Sequence, residues 1–107
     1  MAFELRVSSA AIQDLDEFHA YVSKDSPQRA SKWLSGAWSV IFDLAANPRS
    51  YPLLPENDEM GVELRNAHYH SHRIVFRVRE DHQTIFVMRV YHSSRKQLKV
   101  EELPLDG

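Results

Sequence analysis

The strongest strand signal in the chain lies between His72 and Arg95, and it predicts a β-hairpin. In each half of this stretch, every second position is apolar, which gives the set Ile74, Phe76, Val78, Phe86, Met88 and Val90. Successive side chains of a strand point to opposite faces, so we predict that this set faces the core. The polar residues 80–83 between the two halves are typical of a turn.

The opposite face of this hairpin combines arginines with a small apolar centre. We predict that it is a partner-binding surface formed by Arg73, Val75, Arg77, Ile85, Val87 and Arg89. Apolar side chains on an open sheet face indicate either a partner or a cover supplied by the chain itself. The C-terminal residues offer such a cover, because they include Leu98, Val100, Leu103 and Leu105.

The first part of the chain predicts one strand and two helices. Phe3, Leu5 and Val7 alternate with polar residues and indicate a strand with one buried face. A helix should follow, capped by Ser8 or Ser9, and a second helix should begin at Ser26 and Pro27 and end before residues 47–48, Asn-Pro. Both helices carry an apolar stripe at helical spacing, with Ala11, Leu15, Phe18 and Val22 in the first and Ala30, Trp33, Leu34, Ala37, Ile41 and Leu44 in the second.

The order of these elements predicts an α+β fold. Residues 49–60 have no periodicity, and a short strand around residues 62–65 precedes a turn within residues 66–71 and the hairpin. If every connection reverses the chain, the first and last strands pair antiparallel, and the two-helix hairpin covers one face of an antiparallel sheet. We predict one domain over residues 1–107, with residues 96–107 as an extended tail.

Composition narrows the function. The 107 residues have a net charge of -2. They include no cysteine, and this excludes disulfides, thiolate zinc sites and cysteine nucleophiles. No apolar run reaches membrane-spanning length and the N-terminus lacks a signal-peptide pattern, so we expect a cytoplasmic protein without a membrane partner. Residues 62–99 carry eight Lys and Arg against three Asp and Glu, which indicates a local surface for an acidic partner.

Three histidines alternate at positions 68, 70 and 72, as metal ligands on one strand face do. The hairpin has to turn in this stretch, and no acidic residue or cysteine completes the set. We therefore predict no metal and no cofactor.

Several short motifs, in this order, resemble the RelE/ParE toxins of bacterial type II toxin–antitoxin systems, over roughly residues 3–98. The stretch DLDEFHAYV at 14–22 looks like the family's DLxxIxxYI, and the second helix has the family's PxxAxxW start and LxxxP end. In the strands, ELR at 63–65 looks like the family's ELR, RIVF at 73–76 looks like YRIxY without its leading Tyr, and RVYHSSR at 89–95 looks like RVxHxxR. The resemblance implies the fold predicted above and a toxin neutralised by a cognate antitoxin.

The family divides by target. Members similar to RelE cut messenger RNA on the ribosome with a basic cradle, arginines and a late Tyr or His, and the matching candidates here are Arg65, His92, Arg95 and Tyr91. Members similar to ParE bind and poison DNA gyrase. Residues 51–60 contain acids but no Lys or Arg, which is the wrong charge for docking on ribosomal RNA. This favours the ParE branch, with growth arrest and plasmid stabilisation as its implied effects, and a protein that is not an enzyme.

Two alternatives stay open on the sequence. One is an endoribonuclease acting on the ribosome and messenger RNA, and the other is a non-toxic member that only binds its antitoxin. In either reading, we expect Arg65 to lie near His92 and Arg95 and to belong to the site on which toxicity depends. The competing hypothesis is that the two arginines merely pair with nearby glutamates, namely Glu63, Glu101 or Glu102.

Overall fold

The computed structural model of the chain describes residues 3–54 and 62–94, which form a four-stranded sheet with a helical hairpin on one face. The α+β prediction is confirmed. No helix in the described ranges is long and apolar enough to cross a membrane. The elements are β1 Glu4–Val7, α1 Ser9–Ser23, α2 Pro27–Leu44, β2 Leu64–Tyr69, β3 His72–Arg79 and β4 Thr84–His92, with short 3-10 turns at Pro48–Ser50 and Glu80–His82.

Both helices begin where their capping residues predict. The Ser8 side chain accepts a hydrogen bond from the Ala11 amide at 3.0 Å, and its hydroxyl donates to the Met88 carbonyl of β4 at 2.6 Å. The Ser26 side chain caps α2 by accepting from the Arg29 amide at 3.2 Å. Because Ser8 bonds to both α1 and β4, it fixes the start of the first helix on the sheet.

The predicted direction of β1 is wrong. The strand order is β1-β4-β3-β2, and β1 pairs with β4 in parallel rather than antiparallel. The prediction assumed that each connection reverses the chain. The connection from β1 to α1 does not reverse it, because successive residues of α1 contact successive residues of β4: Ser8 contacts Met88, Asp14 contacts Val90, and Phe18 contacts His72, the partner of His92. The helix therefore runs in the same direction as β4 and β1.

The main core lies between the helical hairpin and the sheet. As predicted, β3 contributes Ile74, Phe76 and Val78 to it. The assignment for β4 is wrong in part, because Ile85 and Val87 face this core while Phe86 and Met88 lie on the other side. The pairing of β3 with β4 shifts by one residue, since Val75 pairs with Arg89 and Phe76 pairs with Val87. This bulge at Met88 restores Val90 to the core.

A second cluster of buried residues lies on the face of the sheet away from the helices. Its members are Leu54, Leu64, Val75, Phe86, Met88 and Tyr91, with Val62 packed against them. Leu54 reaches this face because its amide donates to the Leu64 carbonyl at 2.8 Å, beside a bridge between Leu53 and Arg65. The outer face of the sheet is therefore a second, smaller core rather than an open surface.

Gly36 allows α2 to approach the end of β2. A Cβ atom at this position would lie 2.1 Å from the Tyr69 hydroxyl oxygen, which donates a hydrogen bond to the Trp33 carbonyl at 2.9 Å. We expect Gly36→Ala to destabilise the protein by about 1–2 kcal/mol, because displacement of Tyr69 outweighs the better helix propensity of alanine. Chemical denaturation measures this change. Adding Tyr69→Phe should recover part of the loss, and a more stable Gly36→Ala protein would contradict the packing.

Candidate functional site

The structure does not bring Arg65 next to His92, so that prediction is wrong. Arg65 pairs with Phe76 near the start of β2, whereas His92 pairs with His72 at the opposite end of the sheet. The two residues are separated by four residue steps, about 13 Å along the strands, and by two strand spacings, about 10 Å across them. The end of β4 lies at the same end of the sheet as the end of β2, where Tyr69 is found, with His72 of β3 between them.

Arg65 is held by an ion-pair network at its own end of the sheet. Its guanidinium donates to the Glu63 carboxylate at 2.8 Å and to the Tyr51 carbonyl at 2.6 Å, and its side chain is only 15% exposed. Arg49 contacts the same Glu63 at 2.8 Å and also pairs with Glu80. Partial burial raises the pKa of Glu63, but hydrogen bonds from Arg49 and Arg65 outweigh it and lower that pKa below its usual value. The competing hypothesis is observed in its first part, the pairing of Arg65 with Glu63, while Arg95 and the tail lie outside the described residues.

The other candidates for RNA chemistry are divided between environments. Tyr91 is buried in the outer cluster, and the Arg89 guanidinium lies 4.6 Å from the centre of its ring. His92 is exposed, and its Nδ1 atom lies 2.8 Å from the Ser94 hydroxyl oxygen. Arg95 and the tail at 96–107 lie outside the described residues.

The predicted partner-binding surface is also different in the structure. Val75, Ile85 and Val87 are fully buried, so the expectation that they are exposed in the free protein is wrong. Val75 packs in the outer cluster, while Ile85 and Val87 face the helices because of the bulge in β4. The arginines of that surface range from buried Arg73 to partly exposed Arg77 and Arg89.

Arg89 is engaged by the first helix. Its Nε and Nη2 atoms donate to both carboxylate oxygens of Asp14, at 2.8 and 2.9 Å, and the Val90 amide donates to the same carboxylate at 2.9 Å. In the sequence, Asp14 is notable only as the first residue of the family-like stretch at 14–22. No local pattern signals this contact, because the two residues are far apart in the chain. The bidentate pair fastens α1 to β4.

His72 lies in an aromatic cage at the end of the sheet that also holds His92. Its ring is 4.3 Å from Phe18, 5.2 Å from Trp33 and 5.2 Å from His92, measured between ring centres. The residue is 5% exposed, and its Nδ1 atom has no hydrogen-bond partner among the described residues. Burial, with a smaller contribution from His92, lowers the pKa of His72 below its usual value, while Asp14 acts weakly in the opposite direction.

The environment of His72 predicts that acid destabilises the fold. Because the pKa of His72 is lower in the folded protein, the unfolded chain binds its proton first, at about pH 6.5. The contribution to stability is therefore complete above that pH and is lost as the pH falls toward the folded-state pKa, by at most about 1.4 kcal/mol per pH unit. Urea unfolding between pH 7.5 and 5 measures this slope. His72→Phe should reduce it and His68→Phe, at an exposed position, should not; equal slopes in both would contradict the assignment.

Solved structures of toxin–antitoxin proteins share this fold. A chain of the ParDE system from P. aeruginosa matches with a TM-score of 0.68 and 19% identity, over 85% of this chain and 96% of that one. A chain of the RelBE2 toxin–antitoxin complex from Mycobacterium tuberculosis matches with a TM-score of 0.60 and 22% identity, over 86% of this chain and 99% of that one. A mutant of E. coli toxin RelE in the free state matches with a TM-score of 0.56 and 17% identity, over 88% of this chain and 86% of that one.

A family model identifies the chain more specifically than these structures do. No curated protein sequence matches it. The model that matches, over residues 5–97, is that of the ParE toxin of the type II toxin–antitoxin system parDE. This range includes both helices and all four strands except for the first residue of β1. The chain therefore belongs to the ParE toxin family of type II toxin–antitoxin systems.

Proposed function

We propose that this toxin acts by binding DNA gyrase and is neutralised by a cognate antitoxin. The observation that carries the proposal is the separation of Arg65 from His92 at opposite ends of the sheet. Cleavage of RNA needs a base, an acid and cations around one phosphate. Arg65 is bound to Glu63, and the Tyr91 side chain is buried. Neither side chain is therefore available to act together with His92 on one phosphate.

Membership of the ParE family supports the same target, since the resemblance implies gyrase for that branch and the ribosome for the RelE branch. A toxin that works by binding needs no catalytic constellation. Its requirements are an accessible surface and a folded scaffold, and both can be tested by substitution.

We propose that the antitoxin contacts the helical hairpin. Large apolar side chains are exposed there, with Tyr21 67% and Phe42 64% accessible, whereas the apolar residues of β3 and β4 are buried. Phe42 also contacts Trp38, with their ring centres 5.9 Å apart, so the two form an aromatic pair on α2. Aromatic residues are enriched at protein interfaces relative to the rest of the protein surface.

Phe42→Asp is expected to weaken antitoxin binding by roughly tenfold or more, because a hot-spot residue at an interface contributes about 2 kcal/mol or more. The fold should be kept, since Phe42 is exposed. Calorimetric titration with the product of the neighbouring antitoxin gene measures the affinity. Gln28→Asp, at another exposed position of α2, is the matched control. Unchanged affinity of the Phe42 variant would remove this part of the hairpin from the interface.

Expression without the antitoxin tests the proposed target. We expect growth arrest, altered plasmid supercoiling and intact messenger RNA. Codon-linked cuts in messenger RNA that His92→Ala abolishes would instead identify a ribonuclease. Normal growth together with tight antitoxin binding would identify a non-toxic member of the family.

A further inference from the structure

An open groove lies between the helical hairpin and the turn that joins β2 to β3. Its volume is about 750 Å³, which is within the range of small-molecule sites. Phe18 of α1 and Trp33 of α2 form an aromatic floor with Tyr69 of β2. The ring centres of Phe18 and Trp33 are 4.6 Å apart, and those of Trp33 and Tyr69 are 5.8 Å apart. The three rings are adjacent and tilted to one another, with interplanar angles of 53° for Phe18 and Trp33 and 54° for Trp33 and Tyr69.

The walls of this groove are fixed by specific contacts. The Tyr69 hydroxyl donates to the Trp33 carbonyl, and Gly36 leaves the space that this hydroxyl occupies. His70 adopts a left-handed backbone conformation with φ of 52° at the turn, and its ring centre lies 4.5 Å from that of Tyr69. The groove is therefore largely formed before any ligand binds.

Two cations line the same groove. Arg29 and Lys32 are exposed and one helical turn apart on α2, so their side chains are neighbours. Within residues 3–54 and 62–94, neither forms an ion pair, whereas Arg49, Arg65 and Arg89 are all bound to carboxylates. Three hydroxyls also line the groove, from Ser35, Ser39 and Ser71.

We propose that this groove binds a nucleotide, with the base on the aromatic floor and the phosphate between Arg29 and Lys32. This goes beyond the gyrase-directed function, because it assigns the toxin a small-molecule ligand. The combination of groups selects the class. A bare phosphate would leave the aromatic floor unused, and an uncharged aromatic molecule would leave two cations unused. The three serine hydroxyls suit the hydroxyls of a ribose.

Calorimetric titration of the purified protein with AMP, at low ionic strength, tests this proposal. We expect saturable binding of one AMP per chain with a Kd below about 1 mM, a modest affinity for a small ligand in an open groove. Adenosine and inorganic phosphate, titrated separately, should each bind at least roughly tenfold more weakly than AMP. Adenosine lacks the phosphate for the two cations, and inorganic phosphate lacks the base for the aromatic floor. In a Trp38→Phe background, AMP should also quench the fluorescence of Trp33.

Matched neutralising variants place the site. Arg29→Gln combined with Lys32→Gln should weaken AMP binding by roughly tenfold or more, whereas Arg6→Gln, on exposed β1, should leave it unchanged. Equal AMP affinity in all three proteins would overturn the proposal, as would adenosine binding as tightly as AMP. If AMP does not bind but an acidic helical peptide containing phenylalanine does, the groove is a protein-docking surface and the nucleotide proposal is wrong. None of these outcomes depends on whether gyrase is the target.

Discussion

Replacing Val87 with aspartate is expected to unfold the protein. Val87 is fully buried between the helical hairpin and the sheet, where no cation in the main core cluster could pair with a new carboxylate. An unpaired buried charge costs several kcal/mol, and a domain of this size has only about 5–15 kcal/mol of stability in total. Circular dichroism during heating should therefore show no cooperative transition near that of the parent protein.

Phe42→Asp is the matched control, because it introduces the same carboxylate at an exposed position. It should unfold cooperatively, close to the parent protein. If the free energy of unfolding of the Val87→Asp protein were within about 1 kcal/mol of that of the parent, the burial of Val87 by the helices would be contradicted. The comparison also matters for binding experiments, because weaker antitoxin binding by the Val87 variant would report unfolding rather than an interface.

Asp14→Ala is expected to destabilise the protein by about 2–3 kcal/mol. Breaking a fully buried pair costs about 3–5 kcal/mol, and partial solvent access reduces that cost here, since the side chains of Asp14 and Arg89 are 13% and 23% exposed. The substitution also removes the acceptor of the Val90 amide. Urea unfolding measures the loss.

Asp16→Ala tests whether this effect is specific, because Asp16 is an exposed acidic residue on the same helix. It should change stability by less than about 0.5 kcal/mol. A double-mutant cycle with Arg89→Ala should give a coupling energy of about 1–3 kcal/mol. A coupling near zero, or an Asp14 variant as stable as the Asp16 variant, would show that the pair does not fasten α1 to the sheet.

The helices were predictable from the sequence because their signals are local. Ser8 and Ser26 cap the two helices as their positions indicate, and Pro27 begins α2. The faces of β3 were also predictable, since alternation persists there without interruption. In β4 both faces are apolar, so the alternation has no polar marker and cannot reveal the extra residue at Met88.

The site was harder to predict than the fold, because it depends on contacts between distant residues. The direction of β1 relative to β4 depends on how α1 leaves the strand, which no local pattern signals, and the partner of Arg89 lies on a helix far away in sequence. Arg65 illustrates the same difficulty. Its nearest candidate partner, Glu63, was visible in the sequence, but only the register of the strands shows that His92 is out of reach.

These contacts bear directly on the proposed mode of action. The groups that could cleave RNA are distributed between a carboxylate-bound arginine at one end of the sheet and an exposed histidine at the other. The helical hairpin, by contrast, is fixed by the Ser8 and Asp14 contacts and carries exposed aromatic residues. A rigid scaffold with such a surface suits a toxin that acts by binding.

The most direct measurement is the conversion of relaxed plasmid to supercoiled plasmid by purified gyrase in the presence of the toxin. We predict concentration-dependent inhibition, relief on addition of the cognate antitoxin, and full inhibition by the His92→Ala variant. Supercoiling that stays unchanged at a large excess of folded toxin would contradict the proposal that gyrase is the target.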